Sequence, residues 1–88
     1  MGKEENKIPV VRVQTGVRME RRMLKVLKGL AEYLDITLGD LLEGIVLHSF
    51  EGKSPFDEAI TQRIDALKDV YDMDYDASAS HQFVEQEA

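Results

Sequence analysis

The side chains in this sequence that could bind a metal ion or act as an acid or base are its carboxylates and two histidines. Asp72, Asp74 and Asp76 alternate like the first ligands of a calcium loop, but no glycine follows at the sixth position and no glutamate at the twelfth. His48 and His81 lack the spacing of metal ligands, and the chain has no cysteine. No nucleophile–base pair or phosphate-binding glycine loop is present. The sequence therefore predicts a protein that is not an enzyme and uses no cofactor or metal.

The other chemistry available to these side chains is charge pairing, because basic and acidic residues are unevenly distributed. The net charge of the chain is −6, but residues 1–33 carry +4 and residues 34–88 carry −10. Such a division is typical of a protein in which one surface binds a polyanion and the rest does not. Chance clustering of solvated charges stays open as the alternative.

The length of the chain limits how such side chains can be positioned. Its 88 residues allow one domain, which as a monomer would bury only about 60–65% of the surface of the unfolded chain. Without disulfides or metal sites, oligomerisation is the remaining way to stabilise so small a core. No apolar run approaches the ~20 residues that span a bilayer, and the charged N-terminus lacks a signal sequence. These features predict a cytoplasmic protein without membrane association.

An alternating pattern predicts a single β-strand over residues 11–18. Val11, Val13 and Val17 fall on one face, and Arg12 and other polar residues fall on the opposite face. A lone buried strand would leave backbone groups unpaired. The simplest partner is the same strand of a second subunit, so the pattern predicts a homodimer.

Two amphipathic helices follow the strand. Apolar residues recur at three- and four-residue spacing from Glu20 to about Leu34, and again from Leu38 to about Phe50. Between them, Thr37 is expected to cap the second helix. Gly52 is expected to end it.

A third helix is expected to open at Ser54, with Pro55 in its first turn, and to stop near Asp72. The sequence beyond it is acidic and poorly periodic. The predicted organisation is a disordered N-terminal arm, a strand–helix–helix domain, the third helix and an acidic, largely disordered C-terminal tail, over residues 1–9, 10–52, 53–72 and 73–88.

This order of elements resembles the ribbon-helix-helix family of DNA-binding proteins. The resemblance lies in VRVQTGVRM followed by LKVLKGLAEYLDITLGDLLEGIVLHSF, and it covers about residues 10–50. It implies a mainly α-helical ribbon-helix-helix fold, in which one N-terminal β-strand pairs across an intertwined homodimer, with the third helix added at the C-terminus. Asp35 stands where glycine is common in the family.

The resemblance also implies a function and a set of site residues. The paired strands would form an antiparallel β-ribbon that enters the major groove of double-stranded DNA, as in a transcriptional repressor or an antitoxin-type regulator. The base-contacting residues would be Arg12, Gln14 and Arg18. The phosphate-contacting residues would be Arg21, Arg22, Lys25, Thr37, Leu38 and Gly39. The dimer core would contain Val11, Val13, Val17, Leu27, Leu30, Leu41, Leu42, Ile45 and Val46.

Two departures from the family pattern keep other functions open. Gly16 offers no side chain on the polar face of the strand, and Asp40 would repel a phosphate at the second helix. The alternative is a homodimeric protein-interaction module of the same fold that does not bind DNA. Residues 54–88 could bind a protein partner, or the third helix could cover the core. If the protein binds DNA, the acidic tail could fold back on the basic ribbon and compete with it.

Overall fold

The protein is a three-helix chain in the part that the structure, a computed structural model, describes, namely residues 7–86. The helices are α1 (Arg21–Leu34), α2 (Leu38–Phe50) and α3 (Glu58–Val70), followed by a short 3-10 turn at Ala77–Ala79. The expectation of a mainly helical protein is confirmed. Of the predicted N-terminal arm, residues 1–6 lie outside the described range, as do the last two residues of the tail. No described helix is both long and apolar enough to cross a membrane.

The predicted N-terminal β-strand, and with it the ribbon-helix-helix architecture of an intertwined homodimer paired through that strand, is wrong. Residues 7–19, here called the N-terminal segment, form no helix or strand and are exposed except at Met19. A strand requires a neighbouring backbone to complete its hydrogen bonds, and no segment within residues 7–86 supplies one. The valines of residues 11–17 alternate as they would in a strand, but the backbone of this segment forms none of the strand hydrogen bonds that the alternation predicted.

A side-chain oxygen, from a carboxylate or a hydroxyl group, caps the N-terminus of each helix. The Glu20 carboxylate accepts hydrogen bonds from the amides of Arg22 and Met23, both at 3.1 Å. The Thr37 hydroxyl accepts from the Asp40 amide at 3.0 Å, so the predicted cap of α2 is confirmed. The cap of α3 was predicted wrongly.

α3 begins after Asp57 rather than after Ser54. The Asp57 carboxylate accepts from the amide of Ile60 at 2.9 Å, while the Ser54 hydroxyl hydrogen-bonds to the carbonyl of Phe56 instead. Both residue types are good N-caps, and they lie three residues apart. The prediction placed the start of α3 at Ser54 alone, whereas the chain uses Asp57.

All three helices end in the same left-handed turn, the Schellman motif. Asp35 (φ 61°), Gly52 (φ 69°) and Asp72 (φ 56°) supply the residue with positive φ. At each site the next amide reaches back five residues, as in the 2.9 Å bond from Lys53 to His48. Gly52 was predicted to end α2, and this is confirmed. The two aspartates occupy a conformation that favours glycine.

α1 is the central element, because both other helices pack against it. The buried core contains Leu30 and Ala31 of α1 and Leu41 of α2. Seven half-buried apolar side chains surround these three: Leu27, Leu34, Ile45, Phe56, Ile60, Ile64 and Leu67. No Cα atom of α2 lies within 8 Å of a Cα atom of α3, so the backbones of these two helices approach each other less closely than either approaches α1.

Gly29 permits the close approach of α1 and α3. A Cβ atom at this position would lie 3.0 Å from a methyl group of Leu67. A glycine inside a helix costs up to ~1 kcal/mol relative to alanine. The close contact with α3 explains why the chain has glycine there.

Candidate nucleic-acid interface

Arg12 is held by a carboxylate of the same chain. Its Nε donates to Glu43 Oε2 at 2.9 Å and its Nη2 donates to Glu43 Oε1 at 2.8 Å, a two-point contact between the N-terminal segment and α2. The hydrogen bond and the charge of Arg12 lower the pKa of Glu43, and the same contact raises the pKa of Arg12. Both side chains remain largely exposed to solvent, so a stronger anionic ligand could replace Glu43.

The other two predicted base-contacting residues lie apart from this contact. Arg18 forms an ion pair with Glu85 of the C-terminal tail. Gln14 is exposed, and it has no side-chain hydrogen bond within residues 7–86. The structure therefore ties Arg12 to α2 and Arg18 to the tail, and it does not gather the three side chains into one preformed reading surface.

A stripe of basic residues runs along the outer side of α1. Arg21, Lys25 and Lys28 are all exposed and are spaced four and three residues apart, so they follow one face of the helix. None of them forms an ion pair within residues 7–86. Lys25 lies over the ring of Tyr71, with its Nζ 5.8 Å from the ring centre. We call Arg21, Lys25 and Lys28 the basic stripe.

Arg22 lies on a different side of α1 from the basic stripe and is surrounded by partners. Its Nε donates to the Glu20 carboxylate at 3.1 Å, and its Nη1 donates to the carbonyl of Asp72 at 3.0 Å and to Asp74 Oδ1 at 3.1 Å. The guanidinium carbon also lies 5.4 Å from the ring centre of Tyr75. Arg22 was predicted to contact phosphate, but in the structure its guanidinium group donates hydrogen bonds to Asp72 and Asp74, where the tail begins.

The predicted phosphate site at the N-terminus of α2 is partly occupied by its own cap. Thr37 uses its hydroxyl to accept the amide of Asp40, which removes one donor from that turn. Gly39 is exposed, with no neighbouring atom within 4 Å of where a side chain would begin, and Leu38 is half-buried. The exposed Asp40 carboxylate adds a negative charge in the first turn.

The residues predicted for a dimer core divide into two groups. Leu30 and Leu41 are buried inside the single chain, and Leu27, Leu42 and Ile45 are half-buried. The remaining residues are exposed: Val11 (93%), Val13 (80%), Val17 (73%) and Val46 (42%). Leu47 and Phe50 of α2 join this exposed apolar group at 64% and 81%.

The charge of the tail suggested that it could compete with DNA, but the contact of its aromatic residues with α1 was not predicted. The Tyr75 hydroxyl donates to Glu20 Oε1 at 2.5 Å, and the Tyr75 ring meets Phe83 edge to face with ring centres 5.1 Å apart. Loss of solvation raises the pKa of Tyr75, and together with the Glu20 contact it brings that pKa to about 12. Two aromatic residues in an acidic, otherwise polar tail were the available sign of this contact.

Glu20 has the largest downward pKa shift in this region. Loss of solvation would raise its pKa, but the hydrogen bonds from Tyr75, from the amides of Arg22 and Met23 and from the Arg22 side chain outweigh that effect. Together they lower the pKa of Glu20 to about 2. The carboxylate is therefore ionised at neutral pH and holds both α1 and the tail.

No protein-family model, curated protein or solved structure matches this chain. The resemblance to the ribbon-helix-helix family consequently rests on the residues of the 10–50 region alone. Within residues 7–86, no group of three or more histidine, cysteine or acidic side chains is arranged to hold a metal ion.

Proposed function

We propose that the protein is a DNA-binding regulator that acts as a homodimer in the cytoplasm and contacts duplex DNA through the basic stripe. The observation that supports this most directly is the exposure of three cations on one face of α1, none with an ion-pair partner in the described chain. From Arg21 to Lys28 the helix rises roughly 10 Å, about the axial rise of three phosphates along one strand of DNA. Such contacts position a protein on DNA without reading its sequence.

Base recognition would come from the N-terminal segment next to this stripe. Arg12 and Arg18 can each bind guanine through two hydrogen bonds, and Gln14 can bind adenine in the same way. Arg12 and Arg18 would have to exchange Glu43 and Glu85 for the nucleic acid. Both contacts are at the surface, where an ion pair contributes only about 0–1 kcal/mol, so this exchange is feasible.

The exposed apolar side chains support the homodimer. Only Val26, Leu30, Ala31 and Leu41 are buried among the apolar residues that the structure describes, a small core for a chain of this length. Leu47 and Phe50 lie exposed on α2, and Val11, Val13 and Val17 lie exposed in the N-terminal segment. A second copy of the chain would cover these side chains and add the apolar contacts that the single chain lacks.

The test of DNA binding is a salt titration with a matched pair of variants. Fluorescence anisotropy with a random-sequence duplex gives the slope of log affinity against log salt for the full chain. Arg21→Gln with Lys28→Gln should reduce the magnitude of that slope by about 2 for each subunit that contacts the duplex, because each phosphate contact contributes about 0.9. Lys53→Gln with Arg63→Gln makes the same change in charge outside the stripe and should leave the slope unchanged. Equal slopes for both variants would refute the stripe as the DNA-contacting surface.

The test of the homodimer is sedimentation equilibrium on variants of α2. Leu47→Gln with Phe50→Gln changes four apolar side chains in the dimer and should weaken self-association by about 6 kcal/mol, more than ~10⁴-fold in Kd, since each apolar side chain contributes about 1.5–3 kcal/mol when buried. Val70→Gln, an equally exposed apolar position at the end of α3, is the control. A wild-type chain that remains a monomer at millimolar concentration would refute the homodimer.

A protein-interaction module is the second candidate function, and the pairing of the arginines favours it. Arg12 and Arg18 already have carboxylate partners within the chain, so a nucleic acid is not needed to neutralise them. This candidate predicts a homodimer that binds no duplex at low salt, where electrostatic binding is strongest. The salt titration above therefore distinguishes the two functions.

A further inference from the structure

The C-terminal tail is bound to the first turn of α1 by specific hydrogen bonds and ion pairs. The Tyr75 hydroxyl donates a hydrogen bond to the Glu20 carboxylate, which caps α1. The Asp74 carboxylate accepts a hydrogen bond from Arg22, the second residue of α1. Farther along the tail, Glu85 reaches Arg18, three residues before α1 begins. The tail thus contacts basic residues at two places about ten residues apart in its own sequence.

The charge of the tail is opposite to that of the surface on which it lies. Residues 73–88 contain four acidic residues and no lysine or arginine, whereas residues 18–28 contain five basic residues and one acid. A carboxylate of the tail and a phosphate of DNA make the same kind of hydrogen bond to a guanidinium group. Arg18 and Arg22 therefore cannot bind the tail and a phosphate with the same donors.

Aromatic packing within the tail adds an interaction that does not depend on charge. Tyr75 and Phe83 pack edge to face, and together with Met23 of α1 and Met73 they line a shallow groove of about 370 Å³. Tyr75 also covers the guanidinium of Arg22. The tail is consequently a specific ligand of this surface, with an aromatic anchor and acidic groups on either side.

We propose that the tail is an intramolecular competitor of DNA, which occupies Arg18 and Arg22 until a polyanion displaces it. The inference rests on the proposed DNA binding. Bound tail leaves the basic stripe free for a first, nonspecific contact with phosphates. Full binding then requires the tail to leave Arg18 and Arg22, so the bound tail lowers the affinity of every polyanion that needs these two arginines.

The experiment compares tail variants of the full chain for DNA affinity and for tail mobility. Tyr75→Phe removes the hydroxyl that binds Glu20 without any change in charge. Asp74→Asn with Glu85→Gln removes the two acidic contacts, and Glu58→Gln with Asp65→Asn on α3 is the control of equal charge. The probes are a random-sequence 20-base-pair duplex, read by fluorescence anisotropy, and ¹⁵N relaxation of the amides of residues 73–86.

Tyr75→Phe should free the tail and tighten DNA binding by roughly ten- to hundredfold, the factor expected for one hydrogen bond to a charged group. The acidic-contact variant should tighten binding more than its equal-charge control. Freed tail amides with unchanged DNA affinity would overturn the competitor and leave the proposed function intact. Freed tail amides without duplex binding by any variant at low salt would overturn both, and a tail that is already mobile in the wild type would overturn the competitor alone.

Discussion

Replacing Asp35 with glycine should stabilise the protein by about 1 kcal/mol. Asp35 adopts φ 61° and ψ 42° at the end of α1, a conformation that costs an L-residue about 1–2 kcal/mol, with aspartate among the better tolerated. Its carboxylate also lies at the negative end of the helix dipole, which costs a further 0.3–1 kcal/mol or so. Among the described residues it forms no ion pair that would offset this. Glycine also stabilises the unfolded chain by about 0.4–1 kcal/mol, because it has more conformational freedom there, and this offsets part of the gain.

The two contributions at Asp35 can be separated by a second variant. Asp35→Asn removes the charge and keeps the left-handed residue, so it should recover only the dipole part, about 0.3–0.5 kcal/mol. Urea unfolding followed by circular dichroism at 222 nm gives both values, at one fixed protein concentration because dimerisation would shift the midpoint. For Asp35→Gly the melting temperature should rise by about 4–8 °C. A glycine variant no more stable than the wild type would refute the assignment of strain to this position.

Three further perturbations test the core, the tail contact and the approach of α1 and α3. Leu30→Ala, at a side chain 1% exposed, should destabilise the protein by about 2–4 kcal/mol in urea unfolding. Absorbance at 295 nm should show one tyrosine titrating near pH 12, because the pKa of Tyr75 is raised to about 12 from 10.0. The contribution of the Tyr75 contact to the free energy of unfolding should be complete below pH 10 and should be lost as the pH rises from 10 to 12. Glu20, with its pKa lowered to about 2 from 4.5, should contribute fully above pH 4.5 and lose that contribution as the pH falls toward 2. Gly29→Leu should cost about 1–3 kcal/mol by overpacking against Leu67.

Each of these perturbations has its own control. Leu47→Ala, at an exposed position, should have much less effect than Leu30→Ala on the unfolding of the single chain. Tyr75→Phe should abolish the tyrosine component near pH 12, and its persistence would reassign that component to another residue. Gly39→Leu places the same side chain on open helix surface, so an equal loss of stability there would contradict the packing explanation for Gly29.

The helices could be predicted from the sequence because their determinants are local. α2 has the predicted bounds, since Thr37 caps its start and Gly52 ends it. The start of α3 was misplaced because Ser54 and Asp57 are both competent caps, and the apolar periodicity fits either one. The choice between them depends on how residues 54–57 cross from α2 to α3, which short-range patterns do not encode.

The N-terminal segment and the tail could not be predicted because their structure depends on distant residues. The valine alternation of residues 11–17 describes which side chains share a face, but a strand needs a second backbone, and the described chain provides none. The contact of Tyr75 with Glu20 joins residues 55 positions apart. Local composition indicated an acidic tail without periodicity, and only the tertiary arrangement brings its aromatic ring to the helix cap.

Glu20 makes the beginning of α1 and the binding of the tail a single coupled equilibrium. Its Oε1 accepts the amides of Arg22 and Met23 and also the Tyr75 hydroxyl. Ordering the first turn of α1 therefore prepares the acceptor that the tail needs, and a bound tail in turn keeps that turn from fraying. By reciprocity, the free energy by which a bound tail stabilises that turn equals the free energy by which the ordered turn favours tail binding. Amide hydrogen exchange in the first turn of α1 would thus report on a segment more than fifty residues away.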